Sequence, residues 1–159
     1  MKGNDQVVSV LNELLADELT AISQYMVHSE MCDNWGYDQL HKAIEAQAID
    51  EMHHAEWLIG RILFLEGMPI VSKLNPMKIG VTAQDMVMND QEAEAGAIRA
   101  YNAGIRLARE VDDQGTADLL TKILKMEEDH VDWNERQRDQ IAQMGLQNYL
   151  ANQAGSAAG

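Results

Sequence analysis

The chain has 159 residues and a mass of 17.8 kDa, enough for one domain that buries roughly 70% of its unfolded surface. Twelve lysines and arginines against 26 aspartates and glutamates leave a formal charge of -14, and with no basic cluster to offset it neither nucleic acid nor an anionic membrane suits as a partner. A single cysteine, Cys32, excludes an intramolecular disulfide or a thiolate cluster and reads as a small packing residue.

The opening Met1-Lys2-Gly3-Asn4-Asp5 carries no apolar run behind a basic flank, so no secretory signal is expected. No stretch approaches the ~18 apolar residues of a membrane span, and a cytoplasmic protein is the expectation. Val7, Leu11, Leu14, Glu18, Ile22 and Tyr25 recur at spacings of three and four, which predicts a helix over about 4–34. Asp33-Asn34-Trp35-Gly36 interrupts it as a turn. Leu40, Ile44, Gln47, Glu51, His54, Leu58 and Ile62 then predict an antiparallel partner over about 38–65.

The only prolines, Pro69 and Pro76, fall in the next interval with Gly67 and Gly80. An irregular link of about fifteen residues is long for neighbouring antiparallel helices; it suits one crossover that runs the length of a bundle. Thr82 with Asp85 resembles a capping box opening a third helix over about 82–112. Its stripe is Val87, Asp90, Glu94, Ala97, Tyr101, Ile105 and Ala108. After the turn Asp112-Asp113-Gln114-Gly115, the stripe Leu120, Ile123, Glu127, His130 and Asn134 marks a fourth helix over about 113–144, and a short fifth is expected over about 146–152. The fold class is therefore all-α: a four-helix bundle in a single domain over 1–159.

Two phrases carry chemistry, Glu51-Met52-His53-His54 and Glu127-Glu128-Asp129-His130. Each puts a glutamate and a histidine three residues apart, where both share one helix face and can close on one metal ion. Glu18 and Glu94 sit mid-stripe on the other two helices. An unpaired carboxylate in so dry a place costs several kcal/mol or takes up a proton. Two divalent cations held by Glu18, Glu51, His54, Glu94, Glu127 and His130 remove that cost, and this donor set suits iron or manganese better than copper. One Glu-x-x-His string alone is commonplace; two, matched by two further mid-stripe glutamates, form a constellation. His28 reads as a local hydrogen-bonding residue, and His41 and His53 as surface residues. Tyr25, two turns beyond Glu18, either hydrogen-bonds a ligating carboxylate or simply packs.

From Asn12-Glu13-Leu14-Leu15 through Asn34-Trp35-Gly36 to Met144-Gly145-Leu146-Gln147-Asn148-Tyr149-Leu150, the chain closely resembles bacterioferritin, the haem-containing branch of the ferritins. The resemblance implies a ferritin-like bundle whose Glu51 and Glu127 bridge two irons, with Glu18 and His54 on one and Glu94 and His130 on the other. Asp50-Glu51-Met52 matches the family's haem-ligand segment. By periodicity Met52 is an interface hydrophobe; the resemblance makes it an axial ligand of haem b, one haem per pair of subunits across a twofold axis. Some relatives carry a histidine where this chain has Ala46, forming with Asp50 an accessory inner-surface iron site. Alanine cannot ligate, which puts that accessory site in doubt.

The resemblance further implies a ferroxidase. Fe(II) is oxidised by dioxygen or hydrogen peroxide, and a ferric mineral is deposited inside a 24-subunit shell of octahedral symmetry. A second bacterioferritin subunit in the shell and a ferredoxin electron donor are partners of the kind it implies. Glu66, Asp132 and Asp139 either line entry pores or are solvated surface. Three other classes fit less well. A rubrerythrin-type oxidase typically adds thiolate pairs, and this chain has one cysteine. A DNA-coating mini-ferritin usually adds a basic tail, and a helical scaffold leaves four inward glutamates without a purpose.

Overall fold

In the computed structural model, which describes residues 1–154, the chain forms α1 (Asp5–Trp35), α2 (Asp38–Phe64), α3 (Ala83–Glu110), α4 (Gln114–Met144) and α5 (Leu146–Ala154), with no strand among the described residues. Three of the four long helices begin where a side chain can take the free amide hydrogens of the first turn. Asn4 Oδ1 accepts from Gln6 and Val7 at 2.8 and 3.3 Å, Thr82 Oγ1 from Asp85 at 3.1 Å, and Asp113 Oδ1 from Thr116 at 3.0 Å. Gly36, at φ 81°, closes α1: its amide donates to Asp33 and that of Tyr37 to Cys32, at 3.0 and 2.9 Å. A β-carbon disfavours that left-handed backbone, and the sharp reversal it permits lays α2 back along α1.

The hairpin α1–α2 packs against the hairpin α3–α4, mainly through α1 and α3, and α2 also meets α4. Buried apolar residues fall in two blocks. One holds Leu11, Leu14, Leu58, Ile62, Ile105 and Leu120; the other holds Cys32, Leu40, Ile44, Ala83, Met86 and Tyr149. Truncating such a buried leucine to alanine costs about 2–5 kcal/mol. Between the two blocks lies a layer of buried carboxylates and imidazoles.

The crossover, residues 65–82, has no regular structure and must still satisfy its backbone. Polar side chains along α1 do this at regular intervals. Asn12 takes the Ile70 amide at 2.8 Å and donates to the Met68 carbonyl at 3.1 Å. Thr20 Oγ1 takes the Asn75 amide at 2.8 Å, Gln24 Oε1 that of Lys78 at 3.1 Å, and His28 Nε2 that of Gly80 at 2.9 Å. Gly80 is required by close approach, because a β-carbon there would stand 2.5 Å from the Met86 amide nitrogen. The link therefore runs the length of α1 before α3 begins. At the far end α5 packs back through Tyr149, whose hydroxyl donates to Gln137 Oε1 at 2.9 Å. The result is the all-α, single-crossover bundle that the periodicity implies.

Candidate metal centre

Glu18, Glu51, Glu94 and Glu127 come from four different helices and meet at one level of the bundle with His54 and His130. Each is at most 5% exposed. His54 Nδ1 lies 3.0 Å from Glu51 Oε2, 3.0 Å from Glu127 Oε1 and 3.6 Å from Glu18 Oε1. His130 Nδ1 lies 3.1 Å from Glu51 Oε1, 3.4 Å from Glu94 Oε1 and 3.5 Å from Glu127 Oε2. Two donor sets result, Glu18–Glu51–His54–Glu127 and Glu51–Glu94–Glu127–His130, each with its ligand atoms within 4.8 Å of one another. Glu51 and Glu127 belong to both sets, and the imidazole centroids stand 6.3 Å apart.

Burial and mutual proximity shift the protonation of all six groups. Burial, reinforced by the neighbouring carboxylates, pushes Glu51 and Glu94 well above the ordinary carboxylate range. Burial raises Glu18 as well. Burial opposes charge on Glu127 too, but contacts with Glu94, His130 and His54 outweigh it and hold that carboxyl well below its usual value. Burial would lower the two imidazoles; contacts with Glu127 and its neighbours instead push His54 up to about 9 and His130 up to about 11. Protons thus do the neutralising that metal ions can do. Glu18 Oε2 and both Glu127 oxygens are buried without a hydrogen bond of ordinary geometry, although His54 Nδ1 and His130 Nδ1 lie 3.0 and 3.5 Å from the two Glu127 oxygens. Such orphaned acceptors are uncommon, and here their lone pairs, with the other oxygens and the two Nδ1 atoms, form a donor set that fits two hard or borderline divalent cations.

Outer contacts hold the candidate ligands in place. Asp50 Oδ2 lies 3.0 Å from His130 Nε2, whereas His54 Nε2 faces Met126 Sδ at 3.4 Å. The hydroxyl of Tyr25 donates to Glu94 Oε1 while its ring packs in the second apolar block, and the hydroxyl of Tyr101 donates to Glu18 Oε1. Periodicity places Tyr101 on the buried stripe but gives it no polar role. Its only signal in the sequence is its spacing from Glu94, the same as that of Tyr25 from Glu18.

The Ferritin-like domain family matches residues 8–144. Over 151 residues the chain is 39% identical to the bacterioferritin of Mycobacterium bovis, covering 95% of each chain. It is 40% identical over 154 residues to the bacterial ferritin of Synechocystis sp., covering 96% of this chain and 99% of that one. It is 41% identical over 160 residues to the bacterial ferritin of Paramagnetospirillum magnetotacticum, covering 99% and 98%. The chain belongs to the ferritin family, on its bacterioferritin branch.

In this bacterioferritin-like subunit a cavity of about 270 Å³ opens between α1, α3 and the crossover. Asp17, Asn75 and Pro76 line its mouth, Ala93 and Gly96 keep its wall short, and Glu18, Glu51, Glu94 and Glu127 line its depth. Met52 points out of the bundle, 43% exposed, one turn from exposed Ile49. Ala46 is exposed and Asp50 is turned to His130. His53 is exposed, and His41 is half-buried with Nδ1 3.0 Å from the Ser29 carbonyl. His28 is fully buried: Gly80 donates to its Nε2, so the ring proton sits on Nδ1, 2.9 Å from Asp90 Oδ1. Asp90 Oδ1 also accepts from Gln24 at 2.8 Å. That trio closes the crossover and stands apart from the carboxylate layer. Asp132 and Asp139 are exposed and ion-paired to Arg136 and Arg138, at 3.1 and 3.0 Å; Glu66 lies 3.8 Å from the terminal amine. Cys32 is buried, and burial pushes its thiol up to about 11. No helix among the described residues is long and apolar enough to cross a membrane.

Proposed function

We propose that this chain is the ferroxidase subunit of an iron store, oxidising Fe(II) to Fe(III) at the layer between its two apolar blocks. The observation that carries this reading is the overlap of the two donor sets: Glu51 and Glu127 serve both, so two cations would share carboxylates across a short span. Each ferrous ion gives one electron, so a bound pair supplies the two electrons that take dioxygen to peroxide, or peroxide to water. The protein's residues make that exchange favourable. Asp17 at the cavity mouth and the glutamates at its base draw cations in. His54 and His130 give up protons as cations arrive, because a ligating imidazole must be neutral. Glu51 and Glu127, which belong to both donor sets, would be shared between the two cations, and Glu18 and Glu94 would each serve one. Their combined negative charge favours the ferric products over the ferrous substrate.

One bundle cannot enclose a mineral, so storage requires a shell, and the likeness to bacterioferritins over 95% of the chain supports a cytoplasmic 24-subunit assembly. Met52 fits a haem b held between two copies: its thioether is exposed on the outer face of α2 beside apolar Ile49, and a thioether is a competent axial ligand. When bound, the haem would supply a route for electrons entering the store from a donor such as a ferredoxin.

The test is direct. Purified protein receives Fe(II) anaerobically and then each oxidant in turn, with oxidation followed by absorbance and particle mass by light scattering. The reading predicts a large particle and a fast phase that consumes about two Fe(II) per chain. Glu18→Ala or Glu127→Ala is expected to abolish the fast phase and leave the particle intact. A subunit that oxidises Fe(II) no faster than buffer overturns the reading.

A further inference from the structure

Tyr101 occupies a place that packing alone does not explain. Its ring belongs to the apolar block formed by Leu11, Leu14, Leu58 and Leu120, where leucine or phenylalanine would pack as well. It is 1% exposed, and it spends its single hydrogen on Glu18 Oε1. Tyr25 does the same for Glu94 from the opposite block. The two contacts mirror each other. Seven residues separate Glu18 from Tyr25 on α1 and Glu94 from Tyr101 on α3, about two helical turns. Each tyrosine thus reaches across the α1–α3 seam to the glutamate of the other helix. The carboxylate layer is capped by one phenol on each side.

The consequence for Glu18 is specific. Oε1 is held by the phenol and lies 3.6 Å from His54 Nδ1, so the buried carboxylate of Glu18 is fixed in one orientation. We infer that Tyr101 is a positioning residue of the metal centre: by holding Glu18 Oε1 beside His54 Nδ1 it fixes the direction in which that carboxylate would meet a cation on the His54 side. Outer-shell hydrogen bonds to ligating carboxylates commonly set metal affinity in this way. The inference rests on the two-metal reading above and adds to it a residue that makes the two positions independently tunable.

The probe is Co(II), titrated into the metal-free, assembled full-length protein and followed by its visible ligand-field bands and by calorimetry. Wild type should take two Co(II) per chain. Tyr101→Phe should keep the helical circular dichroism and particle size while weakening one of the two ions about tenfold. Tyr25→Phe should weaken the other, and in a Glu94→Ala background, where only the Glu18–His54 position can fill, Tyr101→Phe should still show its loss. Should Tyr101→Phe fail to assemble, wild type gives a second reading: filling the site should produce a tyrosine near-ultraviolet difference band, and its absence overturns the proposal. Two ions bound by Tyr101→Phe with wild-type affinity also overturn it, as does equal weakening of both, which marks a packing role only. A wild type that binds no Co(II) overturns the two-metal reading itself, a result distinct from the others.

Discussion

Asp50 stands behind His130, with its Oδ2 3.0 Å from the ring nitrogen that faces away from the carboxylate layer. The equivalent nitrogen of His54 meets only the thioether of Met126, at 3.4 Å. One imidazole is therefore oriented by a carboxylate and the other by a soft, weak acceptor. A carboxylate behind a metal-binding histidine fixes its tautomer and raises its basicity.

From this asymmetry we predict that Asp50→Ala lowers divalent-metal affinity on the Glu94–His130 side about tenfold, whereas Met126→Leu changes the His54 side much less. Chelator competition with Co(II) resolves the two. Equal effects from both substitutions would show that the outer contacts do not set affinity here.

The second prediction concerns pH. His54 and His130 titrate above the ordinary 6.5, at about 9 and 11 in the folded chain, and Glu18, Glu51 and Glu94 are raised from their ordinary 4.5. A group raised on folding contributes stability that is fully present below its unfolded value and is lost as pH climbs through its folded value. Glu127, which is lowered, works in the opposite sense, but five groups outweigh it. The metal-free protein should therefore lose thermal stability as pH climbs from about 6.5 through about 9 and on towards about 11. Saturation with a divalent metal should flatten that slope, because cations replace the protons. Melting curves of both forms across the range decide it; parallel slopes contradict the scheme.

Met52→Leu should abolish haem retention and leave rapid Fe(II) oxidation intact, since the Met52 side chain is exposed while the six residues of the layer are buried. The Soret band after reconstitution with haem measures the first effect, and stopped-flow absorbance the second. If the fast phase disappeared along with the haem, the two sites would not be separate.

Asp113 offers a stability test remote from the centre. It caps α4 and takes the Arg61 guanidinium at 2.7 Å. Burial works against its charge, but Thr116 and Arg61 outweigh that and hold it below its ordinary 3.8. Its contribution is thus present above that value and lost as pH falls through the lower folded value. Asp113→Ala should cost about 1–2 kcal/mol at neutral pH, read from denaturant unfolding, and the gap to wild type should narrow below the ordinary value. A gap that widens in acid would mean Asp113 acts through packing.

The amino-acid sequence by itself determined the helices, the crossover and the helix face on which each charged group lies. Periodicity and the i, i+3 spacing of Glu51 with His54 and Glu127 with His130 are properties of single helices, and a single helix can be read without its neighbours. The tertiary structure alone decided which residue on one helix meets which on the next: Tyr101 with Glu18, Asp50 with His130, His28 with Asp90 and the Gly80 amide. Those pairings depend on the axial stagger of two packed helices. The ridges and grooves of their side chains set that stagger, and no spacing along one segment records it.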